Sequence, residues 1–211
     1  MSRLRIPGGL YAITDESLPA NQLFTRTEAI LRGGARMLQY RDKQRRDAES
    51  RITRATELLA LCTRHDALLI MNDDVELARD IGAAGVHIGR DDLSVARTRA
   101  LLGADAIIGV SCYNDLALAE QAVAQGADYI AFGSFYPSPT KPDAVRAEID
   151  LLVQARQFSV PVVAIGGITL ENGPALVAAG ANALAVITGV YQANDPLAAA
   201  TAFSQLFSNP S

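Results

Sequence analysis

The chain has 211 residues, 49% of them hydrophobic and 20% charged, a length and balance that supply one buried core and predict a single domain over residues 1–211. The same figures exclude a disordered chain and a coiled coil. The formal charge is −4, and Lys and Arg are dispersed rather than gathered on one basic face, which excludes a nucleic-acid footprint.

At the N-terminus, Arg3 and Arg5 are followed by Pro7-Gly8-Gly9 and then Asp15-Glu16, which interrupts any signal-peptide apolar core. No later stretch is apolar over the length that a membrane helix needs, so a cytoplasmic chain without a membrane partner is expected. Short β-branched and aromatic runs recur at residues 9–14, 36–40, 67–71, 85–88, 107–110, 129–132, 160–165 and 184–187, predicting eight strands. Helical spacing covers 48–63, 93–102, 116–125, 147–157, 170–179 and 196–207 between them. The apolar runs are continuous rather than alternating, as in a parallel sheet covered by helices on its outer face. Gly34-Ala35, Gly126-Ala127 and Gly180-Ala181 each stand just before a strand, where glycine ends a helix. Eight such units predict an α/β fold, a (β/α)8 TIM barrel. A doubly wound open sheet would carry a Gly-rich first turn, which is missing. Cys62 and Cys112 have neither disulfide nor zinc spacing and are expected to be ordinary packed cysteines.

A barrel builds its active site from the C-terminal ends of its strands. The second strand runs out in Gln39-Tyr40-Arg41-Asp42-Lys43, and alternation puts Gln39, Arg41 and Lys43 on one face. An amide and two cations suit an anionic ligand; a solvated loop at a helix entry is the plain alternative. The third ends in Asn72-Asp73-Asp74, where Asp74 is expected to cap a helix starting near Val75 and leaves Asn72 and Asp73 unexplained. The fourth leads through His87 to Arg90-Asp91-Asp92, where again one Asp suits a helix cap. Asp73 and Asp92, from neighbouring strand ends, could share an oxygen-ligated cation. Mg²⁺ fits, because it takes one or two carboxylates with waters and phosphate oxygens. His87 itself reads as a packed, hydrogen-bonded histidine, and His65 as a helix-end residue.

The fifth strand ends in Gly109-Val110-Ser111. The sixth ends in Gly133-Ser134 and enters a loop with three prolines in which Ser138, Thr140 and Lys141 offer anion-binding groups. After the seventh and eighth strands come Gly166-Gly167-Ile168 and Ile187-Thr188-Gly189, positions where barrels hold phosphate on backbone N–H groups. No Ser/His/Asp order, H-E-x-x-H, Walker A loop or G-x-G-x-x-G occurs, and no proton-transfer pair stands out. The inventory points to holding and neutralising phosphate oxygens.

These motifs, in this order over residues 9–196, resemble the thiamine-phosphate synthase family. The resemblance implies a transferase of thiamine biosynthesis. It would join 4-amino-5-hydroxymethyl-2-methylpyrimidine diphosphate to a thiazole phosphate or its carboxylated tautomer, releasing diphosphate through a carbocation-like path. It implies that Gln39, Arg41, Lys43, Asn72, Ser111 and Lys141 hold the pyrimidine diphosphate, with Arg41, Lys43, Ser111 and Lys141 as the catalytic group. Asp73 and Asp92 would ligate Mg²⁺. Ser138, Pro139, Thr140, Gly167 and the Ile187-Thr188 backbone would receive the thiazole phosphate. The chain departs from the family at Ser138 and Thr188, where other hydroxyl residues are frequent, and at Asn182, where Asp is frequent. The related thiazole tautomerase makes no use of a diphosphate, and the joint presence of Gln39, Arg41, Lys43, Asp73, Asp92 and Lys141 argues against it. A sugar-phosphate isomerase or epimerase would want a proton-transfer pair. A non-catalytic binder of thiamine precursors stays open, as does a homo-oligomer.

Overall fold

The computed structural model describes residues 6–44, 46–138 and 145–208. In chain order the elements are β1 (Gly9–Ile13), α1 (Ala20–Arg32), β2 (Met37–Tyr40), α2 (Ala48–Arg64), β3 (Leu68–Asn72), α3 (Val75–Ile81), β4 (Gly85–Ile88) and α4 (Val95–Leu102). They continue as β5 (Ile107–Tyr113), α5 (Leu116–Ala124), β6 (Tyr129–Phe132), α6 (Asp150–Ala155), β7 (Val162–Ile165), α7 (Gly173–Ala179), β8 (Ala183–Val186), α8 (Thr188–Tyr191) and α9 (Pro196–Gln205). All eight strands are parallel and close in sequence order, with β8 pairing back onto β1 through Leu10 and Leu184, so the expected barrel is the observed one.

The apolar runs divide between two cores because successive strand residues point to opposite faces. Along β1, Leu10 and Ala12 pack outward against the helices, while Tyr11 and Ile13 turn into the barrel. The interior is filled by Tyr11, Ile13, Met37, Ile70, Ile107, Tyr129 and Val163. The outer layer joins Leu38, Leu69, Ile108 and Ile130 to helix residues such as Leu58 and Phe203. Each such side chain removed from water contributes about 1.5–3 kcal/mol. Among the described residues no helix is long and apolar enough to cross a membrane.

The glycine-alanine repeat ends helices as expected. Gly34, Gly126 and Gly180 have φ of 103°, 90° and 121°, and the following alanine N–H groups return to Ile30, Ala122 and Leu176. Gly82-Ala83 is a fourth instance. Asp74 caps α3, its carboxylate accepting from the Leu77 N–H at 2.9 Å. His65 stands at the C-cap of α2. The departures from the predicted elements lie at their ends. Ser94, not an aspartate, caps α4, because the Asp92 carboxylate turns back to accept the Gly89 N–H at 2.7 Å. α7 starts later than predicted, at Gly173, because Thr169 and Asn172 cap each other's backbone first. α6 spans six residues, shorter than its apolar pattern. β5 continues three residues beyond Val110, and its register against β6 shifts between Ser111 and Tyr113. Such a bulge re-aims side chains at a strand end. Asn182 stands at the opposite end of the barrel from the strand C-termini, its side chain accepting from the Val162 N–H, so the departure there is a strand-entry contact.

Candidate active site

A cavity of about 360 Å³ opens at the C-terminal ends of the strands. Of the residues singled out in the sequence, Gln39, Arg41, Asn72, Ser111, Ser138, Gly167, Ile187 and Thr188 line it. Strand order sets them across from one another, since β3 with Asn72 stands opposite β7, whose following turn holds Gly167. Apolar Ile13, Ala131, Ile165 and Ala185 complete the inner wall. Pro139, Thr140 and Lys141 lie outside the described residues.

Arg41 is the one Lys or Arg among the described lining residues. Its backbone N–H donates to Thr14 Oγ1 at 2.8 Å, and Thr14 Oγ1 in turn donates to the Arg41 carbonyl, which fixes the end of β2 against β1. Its guanidinium pairs with Glu16, which also accepts from the Lys43 backbone N–H. Alternation holds at this strand end: the Tyr40 hydroxyl donates to Asp42 on the outer side, away from Gln39 and Arg41.

Lys43, Asp73 and Asp92 form a separate charged group beside the cavity rather than on its wall. Lys43 Nζ pairs with Asp73 Oδ2, and Asp73 directly follows the lining residue Asn72. Asp73 adopts φ 64°, a left-handed conformation that aspartate tolerates better than most residues. A Cβ placed on Gly89 would lie 3.3 Å from Asp92 Oδ2 and 3.6 Å from the Tyr113 hydroxyl, so Asp92 adjoins the cavity wall at Tyr113. Burial pushes the Asp92 carboxyl above its ordinary value. The Asp73 carboxylate adds to this, while the Gly89 N–H and Lys43 work against it. Two carboxylates from adjacent strand ends therefore lie close together, with Lys43 paired to one of them.

Glycines shape the opposite wall. A side chain at Gly167, with φ 59°, would run into the Pro137 carbonyl at 2.2 Å, so the loop after β6 packs directly on the turn after β7. The backbone bonds Phe135 N–H to Ile165 O and Tyr136 N–H to Gly166 O hold the two segments together. Thr188 opens the short helix α8 directly after β8.

Four further residues belong to this region. Tyr11 and Tyr129 stand inside the barrel, hydroxyl to hydroxyl at 2.9 Å, and connect Gln39 to His87. They sit within apolar strands, so their pattern marks them as core; the inward phase of β1 is the signal that would have found Tyr11. His87 is packed and hydrogen-bonded as expected, but it also lines the cavity. Tyr113 owes its position to the β5 bulge and a φ of 53°, with the Arg90 guanidinium 5.1 Å from its ring centre. Cys62 and Cys112 are buried, and burial pushes each thiol up to about 12, which suits inert packing.

The family model for thiamine monophosphate synthase matches residues 10–190. A thiamine-phosphate synthase of Thioalkalivibrio sulfidiphilus is 53% identical over 201 residues, covering 94% of this chain and 95% of the relative. One from Methylobacillus flagellatus is 51% identical over 209 residues, covering 98% and 100%. Among solved structures, a thiamine phosphate pyrophosphorylase from Pyrococcus furiosus superposes with a TM-score of 0.85 at 31% identity, covering 94% of each chain. Identity at this level across nearly the whole length of both partners, on the same barrel, means that the chain belongs to the thiamine monophosphate synthase family and is a transferase of thiamine biosynthesis.

Proposed function

We propose that this chain transfers the pyrimidine of 4-amino-5-hydroxymethyl-2-methylpyrimidine diphosphate to the nitrogen of 4-methyl-5-(2-phosphooxyethyl)thiazole, or of its carboxylated tautomer, giving thiamine phosphate and diphosphate, with carbon dioxide also released from the carboxylated acceptor. The observation that carries this reading is the convergence of Gln39, Arg41, Asn72 and Ser111 on one side of a single cavity, with the glycine turn at Gly167 and the start of α8 at Thr188 on the other. One end offers a cation and polar groups for a diphosphate. The other offers backbone N–H groups, close approach and a hydroxyl for a second phosphate. The apolar wall between them, with Ile13, Ala131, Ile165 and Ala185, suits flat heteroaromatic rings.

In this reading Arg41, Lys43 and Lys141 bind the diphosphate and absorb the charge that grows on it as the carbon–oxygen bond breaks. The electron pair leaves with the diphosphate, and the aminopyrimidine stabilises the carbocation until the thiazole nitrogen closes the new bond. No general base is required, since the thiazole nitrogen carries no proton to be removed. Gln39, Asn72 and Ser111 orient the pyrimidine diphosphate; Ser138, Pro139, Thr140, Gly167, Ile187 and Thr188 orient the thiazole phosphate.

Asp73 and Asp92 fit Mg²⁺. They are two hard oxygen donors close enough for one to raise the other, and among the described residues no further His, Cys, Asp or Glu joins them. Water and phosphate oxygens would then fill the remaining positions. When bound, Mg²⁺ supplies charge neutralisation at the diphosphate oxygens. The reading carries with it a cytoplasmic location and small-molecule partners. Its test is to mix both precursors with the protein, with and without Mg²⁺, and follow thiamine phosphate; no product in the presence of metal overturns it.

A further inference from the structure

Five polar side chains cross the barrel beneath the cavity in one hydrogen-bonded row. Gln39 Nε2 donates to the Tyr11 hydroxyl at 2.9 Å, and the Tyr11 and Tyr129 hydroxyls are 2.9 Å apart. The Tyr129 hydroxyl lies 3.0 Å from His87 Nδ1, and His87 Nε2 lies 2.8 Å from Ser111 Oγ. The row draws on β2, β1, β6, β4 and β5 in turn, and its rings are held by packing. Tyr11 meets Tyr129 edge to face at 83°, and His87 stacks on Tyr129 at 22°. Gly109 makes the room, since a Cβ there would lie 1.9 Å from Tyr129 Cζ.

The direction of the row follows from counting protons. An amide nitrogen only donates, each phenol has one proton, and a neutral imidazole has one. Consider first a row running from Ser111 back to Tyr11. The Tyr11 oxygen would then accept from both Gln39 and Tyr129, and its own proton would have no acceptor among the described residues. Tyr11 is 1% exposed, so that stranded donor carries its full desolvation cost. An imidazolium at His87 strands the same proton, because Nδ1 would then donate as well. Run from Gln39, the row gives an acceptor to the Tyr11 and Tyr129 hydroxyl protons and to the imidazole proton of His87. Tyr11 donates to Tyr129, Tyr129 donates to His87 Nδ1, and His87 Nε2–H donates to Ser111 Oγ. The protons left over are the second one of the Gln39 amide and that of the Ser111 hydroxyl, the two ends of the row, and both residues line the cavity.

We propose that Tyr11, Tyr129 and His87 are positioning residues: directed by the Gln39 amide, their row holds His87 as the neutral Nε2–H tautomer and turns the Ser111 hydroxyl outward as a fixed donor to an anionic substrate oxygen. The proposal rests on the reading that Ser111 contacts the diphosphate substrate. A hydroxyl whose lone pair is already engaged does not reorganise when charge develops on its acceptor, which is the condition for electrostatic preorganisation.

The test uses the whole protein labelled with ¹⁵N-histidine. The sequence has two histidines, and a His65→Asn control assigns them. Long-range ¹H–¹⁵N spectra at about pH 8, above the ordinary histidine range, are expected to give His87 as the Nε2–H tautomer; the Nδ1–H tautomer overturns the proposal, with no variant needed. A double-mutant cycle supplies the kinetic arm. Ser111→Ala is expected to lower kcat/KM about tenfold to a hundredfold, and Tyr129→Phe about tenfold. On the Ser111→Ala background Tyr129→Phe should cost less than about twofold, since both act through one group. Additive losses overturn the proposal while leaving the Ser111 contact standing. An unchanged kcat/KM in Ser111→Ala overturns the contact itself and with it the role of the row in the reaction.

Discussion

Arg41 Nη1 lies 2.7 Å from Glu16 Oε1, an ion pair that joins the loop after β1 to the end of β2 at the mouth of the cavity. Glu16 also takes the Lys43 backbone N–H, so one carboxylate orients both the guanidinium and the chain that carries the next cation. Glu16→Ala should free the guanidinium to rotate and raise KM for the pyrimidine diphosphate about tenfold, as expected for one charge-assisted hydrogen bond. Steady-state kinetics with each substrate varied in turn checks this; an unchanged KM assigns the pair no part in binding.

Asp73→Ala and Asp92→Ala should each abolish turnover at ordinary Mg²⁺ while circular dichroism reports an intact barrel. Both residues sit at strand ends outside the packed cores, so their loss opens no cavity in the apolar interior. Asp92→Asn, which keeps the shape, should require more Mg²⁺ for half-maximal rate. A near-normal rate in either alanine variant removes that residue from the proposed metal site.

Gly109→Ala should destabilise the fold by about 1–3 kcal/mol, the usual cost of forcing a methyl group into a filled interior. The added carbon would lie within 2.3 Å of three Tyr129 atoms, so the ring must move. Urea unfolding measures the loss directly. Activity should fall more steeply than stability, because the displaced ring lies between Tyr11 and His87.

Asp15 gives a pH dependence. Burial acts to raise its pKa, but the Ser17 hydroxyl, the Gln192 amide and the Ser17 N–H outweigh it and hold the carboxyl below its ordinary value. A carboxyl with a depressed folded-state pKa contributes stability above its unfolded pKa of about 3.9, and that stability is lost as pH falls through the lower folded value. Asp15→Asn should therefore flatten the acid limb of the stability profile and leave its slope near neutrality unchanged. A wild-type acid limb in the variant would show that Asp15 does not report on folding.

The barrel was legible in the sequence because its strands are buried on both faces. Continuous apolar runs at 107–110 and 184–187, each preceded by a helix-ending glycine or a turn, leave few other ways to satisfy backbone and side chains. The ends of elements were less legible. Asp91-Asp92 has the composition of a helix cap, yet Ser94 performs that task and Asp92 folds back to Gly89. Local pattern cannot choose between two nearby caps when a tertiary partner engages one of them. The β5 bulge behind Tyr113 is likewise a consequence of pairing with β6 and carries no sequence signature of its own.

The sequence by itself determined the layer order, the strand ends that bear chemistry and the family to which the chain belongs, because these depend on residue type and spacing along one dimension. It also separated Asp74, a helix cap, from Asn72 and Asp73. The tertiary structure decided which of those residues meet. It put Gln39, Arg41, Asn72 and Ser111 on one cavity wall and set Lys43 beside Asp73 rather than within that wall. It also turned Tyr11, Tyr129 and His87 from core residues into a polar row. Such meetings span 118 residues in the case of Tyr11 and Tyr129. Closure of the barrel brings β1 and β6 to face each other across its interior, a relationship that no local pattern encodes.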